Sequence, residues 1–136
     1  MARILYVEDN GITRACYGTA FKLAGHEVTA CPDYFAARRV LNQDRQFDLI
    51  ITDGRYESDQ RFPQFKREGC LSLLADLKAM NAKMPVVILS MEPSDFTPEK
   101  LPSECLRPAA LFSKCVETDH MAFARKVPDL LKLGCA

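Results

Sequence analysis

Short apolar runs alternate along the chain with segments whose apolar residues recur every three or four positions, the pattern of buried strands joined by amphipathic helices. The first run covers 4–7. Asn10 then caps a predicted helix that places Ile12, Cys16, Thr19, Ala20 and Leu23 on one stripe and stops at Gly25. A second strand is predicted over 27–31, and Pro32-Asp33 opens a helix with Phe35, Ala36, Val40 and Leu41 on one face. The third run, 47–52, has a nearly continuous apolar centre and ends at Asp53-Gly54. Residues 54–69 carry many charges and little periodicity, and read as a long loop at the sheet rim. A third helix is predicted over 70–81, with Leu71, Leu74, Leu77 and Lys78 at helical spacing, followed by the most apolar run, 86–89, as the central strand. Four prolines (Pro93, Pro98, Pro102, Pro108) confine any helix within 91–108 to one or two turns. A fifth strand follows at 109–113, and a last helix over 118–133, kinked or split at Pro128 and closed by Gly134.

Five strands alternating with crossovers predict an α/β fold, a doubly wound parallel sheet with helices on both faces. The 136 residues suit one domain, expected to span 1–136 without an output domain. Eighteen Lys plus Arg balance eighteen Asp plus Glu, so a protein that neutralises nucleic-acid phosphates is not expected. The apolar run at the amino end meets Glu8 and Asp9 after four positions, far short of a signal-peptide core or of the roughly 20 residues a membrane span needs. No membrane insertion and a cytoplasmic location are therefore expected. The six cysteines (Cys16, Cys31, Cys70, Cys105, Cys115, Cys135) contain no Cys-x-x-Cys pair and read as reduced, mostly buried thiols rather than zinc ligands.

In doubly wound sheets functional groups gather at the carboxyl ends of the strands. Here those ends carry Glu8-Asp9, Asp53, Ser90 and Lys114. Two unit charges ~4 Å apart repel by about 4 kcal/mol at an effective dielectric near 20, so three clustered carboxylates must take up protons or recruit a cation. One lysine cannot neutralise all three. Hard oxygen donors with incomplete enclosure suit Mg²⁺ (or Mn²⁺).

The segments Ile4-Leu5-Tyr6-Val7-Glu8-Asp9-Asn10, Asp48-Leu49-Ile50-Ile51-Thr52-Asp53, Pro85-Val86-Val87-Ile88-Leu89-Ser90 and Phe112-Ser113-Lys114 resemble the receiver domain of two-component response regulators, in the right order and across essentially the whole chain. The resemblance implies a flavodoxin-like sheet of order 2-1-3-4-5. It implies Asp53 as phosphoacceptor and Asp9 as a direct metal ligand, with Glu8 acting through water and the backbone carbonyl of Arg55 filling another position. Ser90 and Lys114 would grip the phosphoryl oxygens. The implied partners are a histidine kinase or histidine phosphotransfer protein, a downstream protein and, as an option, a second copy of the chain. Such a receiver is not an enzyme in the ordinary sense; Mg²⁺-dependent self-phosphorylation and self-dephosphorylation are its expected chemistry.

Four positions depart from the family pattern. Leu111 stands where receivers carry an aromatic switch residue, with Phe112 expected on the opposite face of the strand. Cys115 replaces the proline after the lysine, which makes a trans bond the default. Met91 is long where a small residue is usual, and is expected to cover part of the acceptor and slow transfer. Arg55 is expected to lean toward the phosphoryl group. The prolines of the fourth crossover imply an unusual partner surface. These departures motivate an alternative, a receiver-like protein-binding module independent of phosphorylation. A flavin carrier fits less well, because Glu8-Asp9 would repel the flavin phosphate. An aspartyl-nucleophile phosphatase would want an acid where Arg55 stands.

Overall fold

A computed structural model describes residues 1–56 and 66–134. Its elements are β1 (Arg3–Val7), α1 (Gly11–Leu23), β2 (Glu27–Cys31), α2 (Tyr34–Gln43), β3 (Leu49–Thr52), α3 (Lys66–Ala79), β4 (Val86–Ser90), β5 (Ala110–Ser113), α4 (His120–Ala124) and α5 (Val127–Leu131), with a 3₁₀ turn at Pro93–Phe96. Among the described residues five parallel strands form one sheet in the order β2-β1-β3-β4-β5. The fold class and strand order are those expected.

Alternate side chains along each strand feed two cores. Leu5, Val7, Ile50 and Ile88 pack under α2, α3 and the crossover after β4, against Leu41, Leu73, Leu77 and Phe96. Ile4, Tyr6, Leu49, Ile51, Val87 and Leu89 pack on the other face against Phe21, Phe123, Val127 and Leu130. Strands β3 and β4 are buried along their whole length, which is why they read as unbroken apolar runs. The register aligns Val7 with Thr52, and Ser90 with Ser113. One step further it brings Glu8, Asp53 and Lys114 to the same edge.

Several boundaries and faces differ from expectation. The inward face of α1 is Tyr17, Ala20 and Phe21, while Ile12 and Leu23 are 79% and 73% exposed. The aromatic pair Tyr17 and Phe21, one turn apart and joined by edge contacts with Tyr6, contributes more buried surface than the aliphatic stripe would. In α2 the buried residues are Ala37 and Leu41, and Phe35 is exposed beside Tyr34. Part of the expected long loop is helix, because α3 starts at Lys66; residues 57–65 of that loop lie outside the described residues. Asp33 caps α2 and Asn10 caps α1, as the sequence predicts, each side chain accepting a backbone N–H. Between β4 and β5 the described helical structure is the single 3₁₀ turn, with Pro93 at its start. The final helix is split into α4 and α5, with Pro128 in the first turn of α5, where its missing N–H costs nothing.

Candidate functional site

The acidic crevice is built where β1, β3, β4 and β5 end. The sheet ladder extends just past the strands: Glu8 N–H donates to Cys31 O at 3.0 Å, Asp53 N–H to Val7 O at 2.8 Å, and Lys114 N–H to Ser90 O at 2.9 Å. The turn from β1 into α1 is fixed from both sides. Asn10 N–H donates to Glu8 Oε2 at 3.2 Å, and the Arg14 guanidinium donates to the Glu8 carbonyl at 2.7 Å.

These constraints gather the carboxylates of Glu8, Asp9 and Asp53 so that one oxygen of each lies within 4.8 Å of the others. Glu8 and Asp53 are buried and Asp9 is half-buried. The Lys114 ammonium bridges two of them, 2.5 Å from Glu8 Oε1 and 3.1 Å from Asp53 Oδ1. Burial and the neighbouring Asp53 push the Glu8 carboxyl up to about 8, against the opposing pull of Lys114. Burial alone would lower Lys114; Asp53 and Glu8 outweigh it and hold the ammonium raised and charged. Three carboxyl groups thus share a single ammonium among the described residues of the crevice.

Ser90 is buried at the end of β4, its hydroxyl accepting the Glu92 N–H at 3.1 Å. Gly54 N–H donates to Asp53 Oδ1 at 2.7 Å. Residue 54 has no room for a side chain: a Cβ would lie 2.8 Å from Ser90 Oγ and 2.4 Å from Phe96 Cε2. Beneath Asp53, the buried Thr52 hydroxyl donates to the Asp53 carbonyl at 2.9 Å and meets the Tyr56 hydroxyl at 2.9 Å. The buried Tyr6 hydroxyl has no hydrogen-bond partner among the described residues, and burial, then Glu8 and Asp53, push its phenol above the usual range.

All the side chains predicted for the site, Glu8, Asp9, Asp53, Ser90 and Lys114, thus converge. Arg55 behaves differently from expectation. Its guanidinium pairs with Asp95 at 2.8 Å and Glu92 at 3.2 Å, tying the loop after β3 to the crossover. Leu111 packs with the α2/α3 core and Phe112 with the opposite core, 5.3 Å from the Phe123 ring. Met91 is more than half exposed. No described peptide bond is cis, so Lys114-Cys115 is trans. Phe96, packed on Gly54 beside Ser90, was not foreseeable from any local pattern, since it lies on one short turn of an irregular crossover.

No family model matches the chain, and no curated protein matches it in sequence. Solved structures do match in shape. A response regulator receiver domain from Clostridium thermocellum is 16% identical, with TM-score 0.72 over 97% of this chain and 95% of that one. The receiver domain of Francisella response regulator 1452 is 22% identical, with TM-score 0.72 over 97% and 98%. A response regulator from Thermotoga maritima, in complex with Mg²⁺-BeF, is 17% identical, with TM-score 0.68 over 96% and 99%. The fold is that of receiver domains over nearly the whole chain.

Proposed function

We propose that the chain is a receiver in a two-component phosphorelay, taking a phosphoryl group from a phosphohistidine donor onto Asp53 and signalling by protein contact. The observation that carries this reading is the bridge from Lys114 to both Glu8 and Asp53 inside a three-carboxylate crevice. In the transfer, an Asp53 oxygen bonds to phosphorus and the donor imidazole nitrogen leaves with the electron pair. A carboxylate is a weak nucleophile, so positioning and neutralisation of the phosphoryl oxygens must supply the rate. The Gly54 N–H and the ladder bond from Asp53 N–H to Val7 hold the acceptor still. Lys114, already against Asp53, is placed to follow the new oxygens, and the Ser90 hydroxyl to donate to one of them.

The donor set fits a hard divalent cation. Three carboxyl groups share one ammonium, and burial together with the neighbouring Asp53 pushes Glu8 up to about 8. Glu8, Asp9, Asp53 and the carbonyl of Arg55 would hold Mg²⁺ (or Mn²⁺), which supplies charge neutralisation at phosphoryl oxygens. Exposed Ile12, Met91 and Val116 follow β1, β4 and β5 and rim the same edge, where a donor protein must approach. Among the described residues no helix is long and apolar enough to cross a membrane. A cytoplasmic site of action and the absence of direct nucleic-acid contact belong to this proposal.

Intact-mass analysis after acetyl phosphate and Mg²⁺ tests it. One phosphoryl mass gain, absent with EDTA and absent in Asp53→Asn, is expected. A gain that survives Asp53→Asn displaces Asp53 from its role. No gain under any donor, including a phosphorylated histidine phosphotransfer protein, would favour a module that binds partners without phosphorylation.

A further inference from the structure

A cavity lies at the other end of the sheet. It measures about 610 Å³ and opens between the end of α3, the starts of β4 and β5, and the proline-rich crossover. Pro85, Val86 and Ala109 form its floor. These residues sit at the amino ends of β4 and β5, so about 13 Å of strand separates the floor from Ser90.

The roof is fixed in place. Leu106 N–H donates to Leu74 O at 3.0 Å, the Lys78 ammonium to Ser103 O at 2.6 Å, and the Cys105 thiol to Leu71 O at 3.4 Å. Pro98 and Pro102 lie in the wall with their φ angles locked. Three hydrogen bonds to α3 and two prolines thus hold the roof over the floor. Apolar surface comes from Val86, Leu101 and Leu106, whereas Lys78 and Arg107 are the charged residues of the lining. Among the described residues no carboxylate lines the cavity, and neither cation forms an ion pair with a described carboxylate.

We propose that this cavity binds a small amphipathic anion, an acyl or aryl carboxylate whose apolar body lies between Val86, Leu101 and Leu106 and whose carboxylate meets Lys78 and Arg107. The volume falls in the range of small-molecule sites, about 300–1,000 Å³, which join apolar walls to a few placed polar groups. Both cations are exposed at the rim, so the anion keeps part of its hydration while its body leaves water.

Two dyes on the full chain test this: 8-anilinonaphthalene-1-sulfonate, which has an apolar body and one negative charge, and the uncharged N-phenyl-1-naphthylamine. The sulfonate should bind saturably, one per chain, and be displaced by decanoate but not by decanol. The double variant Lys78→Gln/Arg107→Gln should weaken it about tenfold, as two exposed ion pairs imply, and leave the uncharged dye within about twofold. Circular dichroism checks that the variant is folded. Amide shifts in labelled protein titrated with decanoate should centre on residue 86 and residues 101–109. Equal sulfonate affinity in the double variant, or shifts centred elsewhere, overturns the proposal. Loss of dye binding as the protein dimerises at high concentration would assign the cavity to a second copy instead. Binding should be the same in Asp53→Asn, so this result stands or falls apart from the phosphoacceptor reading.

Discussion

Gly54 and Phe96 are packed backbone against ring: a Cβ on residue 54 would lie 2.4 Å from Phe96 Cε2, well inside van der Waals contact. Gly54→Ala should therefore destabilise the protein by about 1–3 kcal/mol, the usual cost of overpacking. In a Phe96→Leu background the same substitution should cost clearly less, because the atom in the way has gone. Urea unfolding of the four proteins in this cycle measures the coupling. Equal costs in both backgrounds would mean that Ser90, not Phe96, sets the limit.

Charge substitutions in the crevice should act in opposite directions. At pH 9, where the Glu8 carboxyl is ionised, Asp53→Asn removes one of the clustered acids and should stabilise the metal-free protein by about 1 kcal/mol. Lys114→Met leaves Glu8 and Asp53 buried without their cation and should destabilise it by about 2–4 kcal/mol. Thermal melting in EDTA compares the pair, and a fall in stability for Asp53→Asn would contradict the charge argument.

Tyr6→Phe should raise stability by about 1 kcal/mol, because it deletes a buried hydroxyl that has no hydrogen-bond partner among the described residues. The ring's edge contact with Phe21, at 5.5 Å between centroids, is kept. Denaturant midpoints at unchanged slope report the gain.

His26 makes folding sensitive to mild acid. Its Nδ1 accepts the Ala2 N–H at 3.1 Å, which requires the neutral ring, and burial followed by the amino terminus lowers its pKa. The unfolded chain then protonates first. Stability is full above the ordinary value of 6.5, falls as pH drops below it, and stops falling once the folded imidazole is also charged. His26→Gln cannot titrate, and its stability should change less between pH 7 and pH 5 than that of the parent. Parallel pH profiles would remove His26 from this role.

The residues that converge in the crevice were legible because each stands where an apolar run gives way to a polar side chain. That transition marks the end of a strand, and parallel strands end together. Glu8, Asp53, Ser90 and Lys114 are all of this kind. Pairings between loops leave no such mark. Arg55 chooses Asp95 and Glu92 because the crossover folds back over the sheet end, which no spacing within either segment reveals. Phe96 reaches Gly54 for the same reason. Helix faces were misread where size outweighed period: Ile12 and Leu23 fit a helical repeat, yet Tyr17 and Phe21 fill the space under α1.

Glu8 and Lys114 stand at opposite ends of the order in which the chain is synthesised. The three acids emerge early, on β1 and β3, and their cation comes only with the last strand. A nascent chain that has not yet released β5 carries the acids without the lysine, so completion of the crevice coincides with closure of the sheet, before α4 and α5 cover its second face.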